Sequence, residues 1–270
     1  MNQPGRNTLA LAVAVCMAAV GASAHDFWLV PDAFAVPASG EIVVKGQTSS
    51  AFPTTLSAVT PDRVTAARVI GAADEEQITA LSTHDNSLVL RHRPKSPGQK
   101  VVAVAVGWRH VKETAESFRK YLVAEGAEDA LARYDRSGQL PKSDIIRRYA
   151  KYGKTLVEVG EGPRAFERSA GHPLEFIPVS DPGAAASGGQ LQFRLMFQGK
   201  PLAGARVHAE TAAPHGPGKG VTSVTTGSGI VTVPAGAGLW NVRTIHVVPA
   251  PAGADAQWDV HWATFVYSRQ

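Results

Sequence analysis

Short runs rich in β-branched residues alternate with turn residues along the first third of the chain. Runs of this kind occupy 41–45, 87–93 and 100–106, and clusters of proline and glycine separate them. Several short strands without intervening amphipathic helices are typical of a β-sandwich. The pattern therefore predicts an N-terminal β-sandwich over residues 25–111.

The residues from 112 to 160 are richer in charge and alanine, and they predict a helical insertion. Within 143–157, four apolar residues follow one another at spacings of four, three and four, as on one face of a helix. They are Ile145, Tyr149, Tyr152 and Leu156. Ser143 is a suitable N-cap and Gly160 a suitable stop. We expect this insertion to pack on the sandwich without a catalytic role.

A connecting segment at 161–189 ends in a stretch of small and turn-forming residues that is typical of a linker. The next residues alternate strictly, with Leu191, Phe193, Leu195 and Phe197 on one side. Further β runs follow at turn-separated intervals. They predict a second β-sandwich over 190–270. The expected fold class is thus mainly β, with two sandwich modules and a helical insertion between them.

The first residues have the three parts of a secretory signal peptide. Arg6 gives a positive start, residues 9–20 form an apolar run, and residues 22–24 (Ala-Ser-Ala) supply a cleavage site. The run has 12 residues, too few for a bilayer span of roughly 20. We therefore predict a secreted, periplasmic protein over 25–270, with residues 1–24 removed and no stable membrane insertion.

The number of cysteines and the distribution of charge along the sequence exclude further kinds of site and partner. The single cysteine, Cys16, lies in the apolar run, where Val15 makes a lipidation site the weaker alternative. The mature chain then has neither disulfides nor thiolate metal sites. The net charge of +4 comes from scattered basic residues rather than a concentrated stripe, which argues against nucleic acid as a partner. Motifs of serine hydrolases, dinucleotide and phosphate loops and zinc proteases are absent from the sequence, so we expect no enzyme.

Cleavage would make His25 the N-terminus and create a metal chelate. A terminal histidine offers its α-amine and ring Nδ1 together, and both can deprotonate near neutral pH. Imidazole suits nickel, copper and related divalent transition metals. The candidate further ligands lie on predicted strands of the second module, with His246 first, followed by His261 and His208. Hydrogen-bonded strand histidines are the plain alternative for each of these three.

The remaining histidines lie near turns or charged loops, and we expect them to be ordinary surface residues. They are His84, His92, His110, His172 and His215.

The stretch HDFWLVP at 25–31 resembles the start of a bacterial periplasmic family of unknown function. Its members are commonly described as periplasmic components of nickel or cobalt transport, similar to the NikM-like proteins. Further stretches that carry the resemblance are 148–157, 171–178, 199–207, 238–246 and 258–265. The stretch 199–207 also resembles the opening of transthyretin-like or carboxypeptidase-regulatory-like sandwiches.

The resemblance implies two β-rich modules, a periplasmic location and His25 and His246 in the motifs that touch a metal. It implies a bound divalent metal, nickel, cobalt or copper, and a membrane transporter component as a candidate partner. We therefore expect a periplasmic metal-binding or metal-delivery protein with His25 as primary ligand. One alternative is a non-catalytic envelope module that binds carbohydrate or protein. Another is a copper oxidoreductase of the histidine-brace type, which needs a broad flat substrate face.

Overall fold

A computed structural model of the chain describes residues 25–138, 144–184, 189–213 and 216–269. The predicted signal peptide at 1–24, with Cys16, lies outside the described residues. The same holds for the predicted helix cap Ser143, for 185–188 in the predicted linker, and for His215.

The described residues form mostly strands, with two α-helices and one short 3-10 helix at Pro61–Arg63. The strands of the first half are β1 (Asp26–Pro31), β2 (Ala35–Val36), β3 (Ile42–Ser49), β4 (Val64–Ile70), β5 (Glu75–Gln77), β6 (Ala80–His84), β7 (Ser87–His92) and β8 (Gly98–Glu113). The helices α1 (Ala115–Ala124) and α2 (Glu128–Arg136) follow. The strands of the second half are β9 (Ile145–Val159), β10 (Leu174–Pro178), β11 (Gly189–Phe197), β12 (Lys200–Pro201), β13 (Arg206–Ala213), β14 (Gly216–Val224), β15 (Ile230–Ala235), β16 (Gly238–Pro249) and β17 (Trp258–Arg269).

The largest sheet contains strands from both halves of the chain. Its order is β14-β13-β16-β17-β9-β8-β4-β5, and β2 pairs with β9 beside this path. Strand β9 joins the halves, because it pairs antiparallel with β8 and parallel with β17. The strands before residue 112 and those after residue 190 therefore share one continuous sheet.

Two smaller sheets pack on the two faces of the large sheet. Successive side chains of a strand point to opposite faces. Accordingly, Val102 and Val104 of β8 belong to the core under the sheet β1-β3-β7-β6. Val101 and Ala103 belong to the core under the sheet of β10, β11, β12 and β15. We call these the N-terminal face and the C-terminal face of the large sheet.

The helices pack on the N-terminal face between the two sets of strands. Helix α1 begins at Thr114, whose side chain accepts a hydrogen bond from the Ser117 amide as an N-cap. Phe118 and Tyr134 share a core with Trp258 of β17. The predicted fold class, mainly β with sandwich-like layers and helices between strand sets, is confirmed. Within the described ranges, neither helix has the length and apolar character needed to span a membrane.

The helix predicted at 143–157 is wrong, because residues 145–157 belong to the long strand β9. Strand β9 lies inside the large sheet with both faces covered, so its apolar residues do not alternate with polar ones as in a half-exposed strand. Tyr149 packs with the core on the N-terminal face, whereas Tyr152 and Leu156 belong to the core on the C-terminal face. The helical spacing therefore reflects burial on two sides.

Candidate functional site

The predicted ligands His246 and His261 lie side by side on neighbouring strands. Strands β16 and β17 pair antiparallel, and His246 is the direct cross-strand partner of His261. Side chains at such positions have Cβ atoms about 4.5–5.5 Å apart and leave the sheet on the same face. Phe197 of β11 contacts both rings, with centroid distances of 4.4 Å to His246 and 5.1 Å to His261. We call His246 and His261 the histidine pair.

Aromatic neighbours hold the ring of His261 on the C-terminal face. The Tyr152 hydroxyl lies 3.3 Å from His261 Nδ1, and the Trp108 ring centroid lies 5.2 Å from that of His261. His261 is buried, whereas Trp108 is 39% exposed. Since the hydroxyl contacts Nδ1, Nε2 is the ring nitrogen that remains for a ligand.

The surroundings of the histidine pair favour neutral rings. Burial lowers the pKa of His246 to about 4, and Asp129 on α2 opposes this shift. Burial also lowers the pKa of His261 to about 4, against the opposing effect of Asp259. Asp259 is in turn paired with Arg148 at 2.7 Å. At pH 7 both imidazoles are therefore in the neutral form, which is the form that binds metals. The carboxylates of Asp129 and Asp259 are nearby.

His208 lies on the other face of the large sheet. It is the cross-strand partner of Arg243 on β16, and Arg243 stands three positions from His246, so the two point to opposite faces. His208 Nδ1 lies 2.9 Å from Thr222 Oγ1. Burial, followed by the charges of Arg243 and Arg206, lowers the pKa of His208 to about 4. The predicted ligand His208 is thus a hydrogen-bonded strand histidine away from the pair.

His25 also lies on the N-terminal face, directly before β1. Its backbone carbonyl accepts a hydrogen bond from Lys151 Nζ. Lys151 precedes Tyr152 on β9, and the two side chains point to opposite faces, Tyr152 toward His261. Burial, with a smaller contribution from Lys151, lowers the pKa of His25. The structure therefore does not bring His25 to the histidine pair.

No group of three or more His, Cys, Asp or Glu side chains in the described ranges is placed to hold a metal ion. The arrangement predicted around His25, with His246 as its next ligand, is not assembled among these residues, because the body of the large sheet separates the two. What the fold does provide is the two-histidine arrangement of His246 and His261.

A cavity of about 680 Å³ opens beside His261 on the C-terminal face. Three of the stretches that carry the family resemblance contribute to its lining, namely 171–178, 199–207 and 258–265. Two others, 148–157 and 238–246, supply neighbours of His261. The residues that line the cavity include Trp108, His172, Pro173, Glu175, Gln198, Pro249, Asp259 and His261. Five of the six stretches therefore place residues around this cavity or His261 on the C-terminal face, whereas the stretch 25–31 lies on the N-terminal face.

His172 is a buried cavity residue, and the expectation that it is an ordinary surface residue is wrong. It is 5% exposed, and both of its ring nitrogens are buried without a hydrogen-bond partner. Burial, followed by the charge of Lys154, lowers its pKa to about 3, although Glu175 opposes this shift. The neighbouring Pro173 is typical of an exposed turn. The one sequence signal for His172 is its place in the stretch 171–178.

We expect His172 to make the fold sensitive to acid. Its folded-state pKa of about 3 lies below the unfolded value of about 6.5, so the unfolded chain binds more protons and stability falls as the pH drops through this window. Between pH 7 and pH 5 the loss amounts to about 2 kcal/mol.

Urea unfolding of the wild type and His172→Asn at both pH values measures this contribution. The variant should lose about 2 kcal/mol less than the wild type over this interval. Equal losses in the two proteins would show that His172 does not carry the effect. His84→Asn, at an exposed histidine, serves as the control and should behave like the wild type.

Among the solved structures that match the chain, two show how distant the likeness is. The "D0-D1 domain of Intimin" is 12% identical over 90% of this chain and 97% of that chain, with a TM-score of 0.21. The "Marsupial T cell receptor" is 8% identical over 91% of this chain and 74% of that chain, with a TM-score of 0.22. At these scores neither likeness bears on function. No curated protein matches the chain.

The family comparison is the informative one. Residues 22–248 match the profile of the domain of unknown function DUF4198. The match includes β1, both helices and most of β16, and so it takes in His25, His172, His208 and His246. Because it covers most of the sequence, the chain belongs to the DUF4198 family of domains of unknown function.

Proposed function

We propose that this protein binds a divalent transition metal ion (nickel, cobalt or copper) in the periplasm and delivers it to a partner. The observation that carries the proposal is the histidine pair. His246 and His261 are direct cross-strand partners, and burial keeps both rings neutral. Two imidazoles leave coordination positions for water or for a ligand of the receiving protein. A site with free coordination positions suits the transfer of the metal ion to a receiving protein. The proposal includes no catalytic step.

Electrostatics favour the histidine pair over His25 as the metal site. Asp129 acts on the His246 ring as a negative charge, and Asp259 acts on His261, although Arg148 offsets Asp259. The charge next to His25 is instead positive, because the Lys151 ammonium group donates a hydrogen bond to the His25 backbone carbonyl. A divalent cation is therefore attracted to the histidine pair and repelled by the surroundings of His25.

The resemblance to NikM-like components of nickel or cobalt transport supports the metal class. It also supports a membrane transporter component as the receiving partner. The signal-like residues 1–24 support the periplasmic location. Half-burial of His246 fits this function, because His246 also lines a small pocket beside α2 through which a ligand can approach.

A metal titration with single-histidine variants tests the proposal. We expect His246→Gln and His261→Gln each to weaken Ni²⁺ binding by at least about a hundredfold, or about 2.7 kcal/mol. His84→Gln, at an exposed histidine on β6, is the matched control and should bind as the wild type does. Isothermal titration with Ni²⁺, Co²⁺ and Cu²⁺ measures all three variants. Wild-type affinity in both His246→Gln and His261→Gln would refute the proposal.

A second candidate function is the binding of a carbohydrate or a protein segment in the cavity beside His261. Trp108 favours it, because this indole is 39% exposed and stands at the cavity with Asp259. Exposed tryptophans provide flat apolar faces with a polar edge, which suits such ligands. Quenching of tryptophan fluorescence by oligosaccharides, abolished in Trp108→Ala and unaffected by metal, would favour this function over metal delivery.

A further inference from the structure

A second cavity, of about 350 Å³, lies beside His25 on the N-terminal face. Its lining comes from the end of β3, the segment 57–59, Arg63 at the end of the 3-10 helix and the neighbouring strands β8 and β9. Four basic side chains line it, namely Arg63, Arg109, Arg147 and Lys151. Positive charge is thus concentrated in this cavity, although no single stretch of the sequence contains all four residues.

Three of these four cations lack a carboxylate partner. Arg147 is paired with Glu113 at 2.5 Å. Over the described ranges, the side chains of Arg63, Arg109 and Lys151 have no carboxylate oxygen within 4.0 Å. Buried charges are ordinarily paired, and Lys151 is only 7% exposed. The cavity therefore carries an excess of positive charge.

The nearest buried carboxylate does not offset this excess. Asp26 is engaged by Arg243 at 3.2 Å. Asp26 is not among the residues that line this cavity. For Lys151, burial lowers the pKa to about 8, with Arg63 and Arg109 adding to the shift and Asp26 opposing it. The ammonium of Lys151 is thus still mainly charged at pH 7.

Two nitrogen atoms at the cavity are buried without a hydrogen-bond partner. Nη1 of Arg147 is one, although the guanidinium is 1% exposed and otherwise held by Glu113 and the Tyr121 ring. Nδ1 of His25 is the other. Buried donors in native proteins nearly always have an acceptor, and a fixed guanidinium N–H is costly to leave unpaired. The two nitrogen atoms without partners therefore indicate that a bound group with hydrogen-bond acceptors would complete this cavity.

We propose that this cavity binds a small oxyanion of the phosphate class, either free or as the anionic group of a small organic molecule. Guanidinium groups present paired N–H donors that match the oxygens of such an anion. Lys151 donates to the His25 carbonyl and Arg63 to the Gly107 carbonyl, but neither these two nor Arg109 has a carboxylate partner, and three such cations fit a dianion better than a monocarboxylate. Thr48 and Ser57 also line the cavity. The Thr48 hydroxyl donates to the Ser57 carbonyl, which leaves the Ser57 hydroxyl as the donor for a further oxygen.

This site is independent of the proposed metal site. The histidine pair stands on the C-terminal face with carboxylates nearby, whereas the oxyanion cavity stands on the N-terminal face with basic groups. Failure of one site leaves the other intact, so the two proposals can be separated by experiment.

Isothermal titration of the full mature chain with inorganic phosphate, at constant NaCl concentration, tests the oxyanion site. Arg63→Gln and Arg109→Gln are the test variants, because both side chains are accessible and the fold should tolerate their loss. Each should weaken phosphate binding by at least about tenfold, since a charge-assisted hydrogen bond is lost. Arg136→Gln, at an exposed position that ends α2, is the matched control and should bind phosphate and Ni²⁺ as the wild type does.

Sulfate and acetate provide the comparison arms. Saturable binding of phosphate and sulfate, weakened in both test variants with Ni²⁺ binding unchanged, supports the site. Absence of saturable phosphate binding up to 10 mM in the wild type overturns it, as does equal binding in Arg63→Gln, Arg109→Gln and wild type. Preference for acetate over phosphate overturns the assignment to the phosphate class.

Discussion

Glu175→Gln should destabilise the protein by about 3–5 kcal/mol, because it breaks an ion pair that is almost completely buried. Lys154 Nζ and Glu175 Oε2 are 3.0 Å apart, and the two side chains are 1% and 4% exposed. The Ala170 amide donates to the same carboxylate at 2.9 Å. After the substitution Lys154 remains in the core without its counter-ion. Urea unfolding at pH 7 measures the loss.

Two further variants make this prediction specific. Replacing both partners, as in Lys154→Met with Glu175→Leu, should cost less than Glu175→Gln alone, since no isolated charge is left. Glu116→Gln in the exposed pair with Lys120 should produce no measurable change. A loss below about 1 kcal/mol in Glu175→Gln would mean that Lys154 is not held in the core as described.

Phe27→Ala should cost about 3–5 kcal/mol, the upper part of the range for large-to-small substitutions in a core. Phe27 is 1% exposed, and its ring lies between Gly46 on the neighbouring strand β3 and Gly153 on β9 of the large sheet. A Cβ atom on Gly46 would stand 2.8 Å from Phe27 Cε2, and one on Gly153 would stand 3.2 Å from Phe27 Cε1. Because glycines have no side chains that could move into the gap, the space left by the ring stays open.

Thermal and urea unfolding of Phe27→Ala measure this effect, and Leu56→Ala is the control because Leu56 is 56% exposed. The control should unfold as the wild type does, within about 0.5 kcal/mol. A loss in Phe27→Ala no larger than that of the control would contradict the packing of β1 against β3 and β9.

Alternation along the sequence predicts the second half of the fold well. Leu191, Phe193 and Leu195 are expected on one buried face of a strand, and all three are fully buried in β11. The same rule places His246 on the side of Trp240, which the core on the C-terminal face confirms. These elements have one clearly buried side, so the local pattern carries the information.

The local pattern fails where both sides of an element are buried. Strand β9 carries Tyr149 toward one face and Tyr152 toward the other, and the resulting spacing is indistinguishable from that of a helix. Burial on two faces removes the alternation that identifies a strand.

Site residues can be named from the sequence, but their assembly depends on the fold. His246 and His261 become neighbours through the register of β16 and β17, and the local pattern of either strand does not specify that register. The face on which His25 lies depends on how the sheet of β1 packs, which is a tertiary property. His172 escapes sequence reasoning because its burial comes from strands distant in sequence. Residue type and strand position therefore provide candidates, and only the fold selects among them.

The most direct test of the metal site is the anomalous diffraction of a crystal of the protein beginning at His25, soaked in Ni²⁺ and measured at the nickel edge. A protein that begins at His25 presents both candidate sites to the metal, the terminal chelate and the histidine pair. The position of the anomalous peak then shows which of them binds nickel. The account predicts a peak about 2.1 Å from a ring nitrogen of both His246 and His261. A peak at the α-amine and ring of His25, with none at His246 and His261, would contradict it.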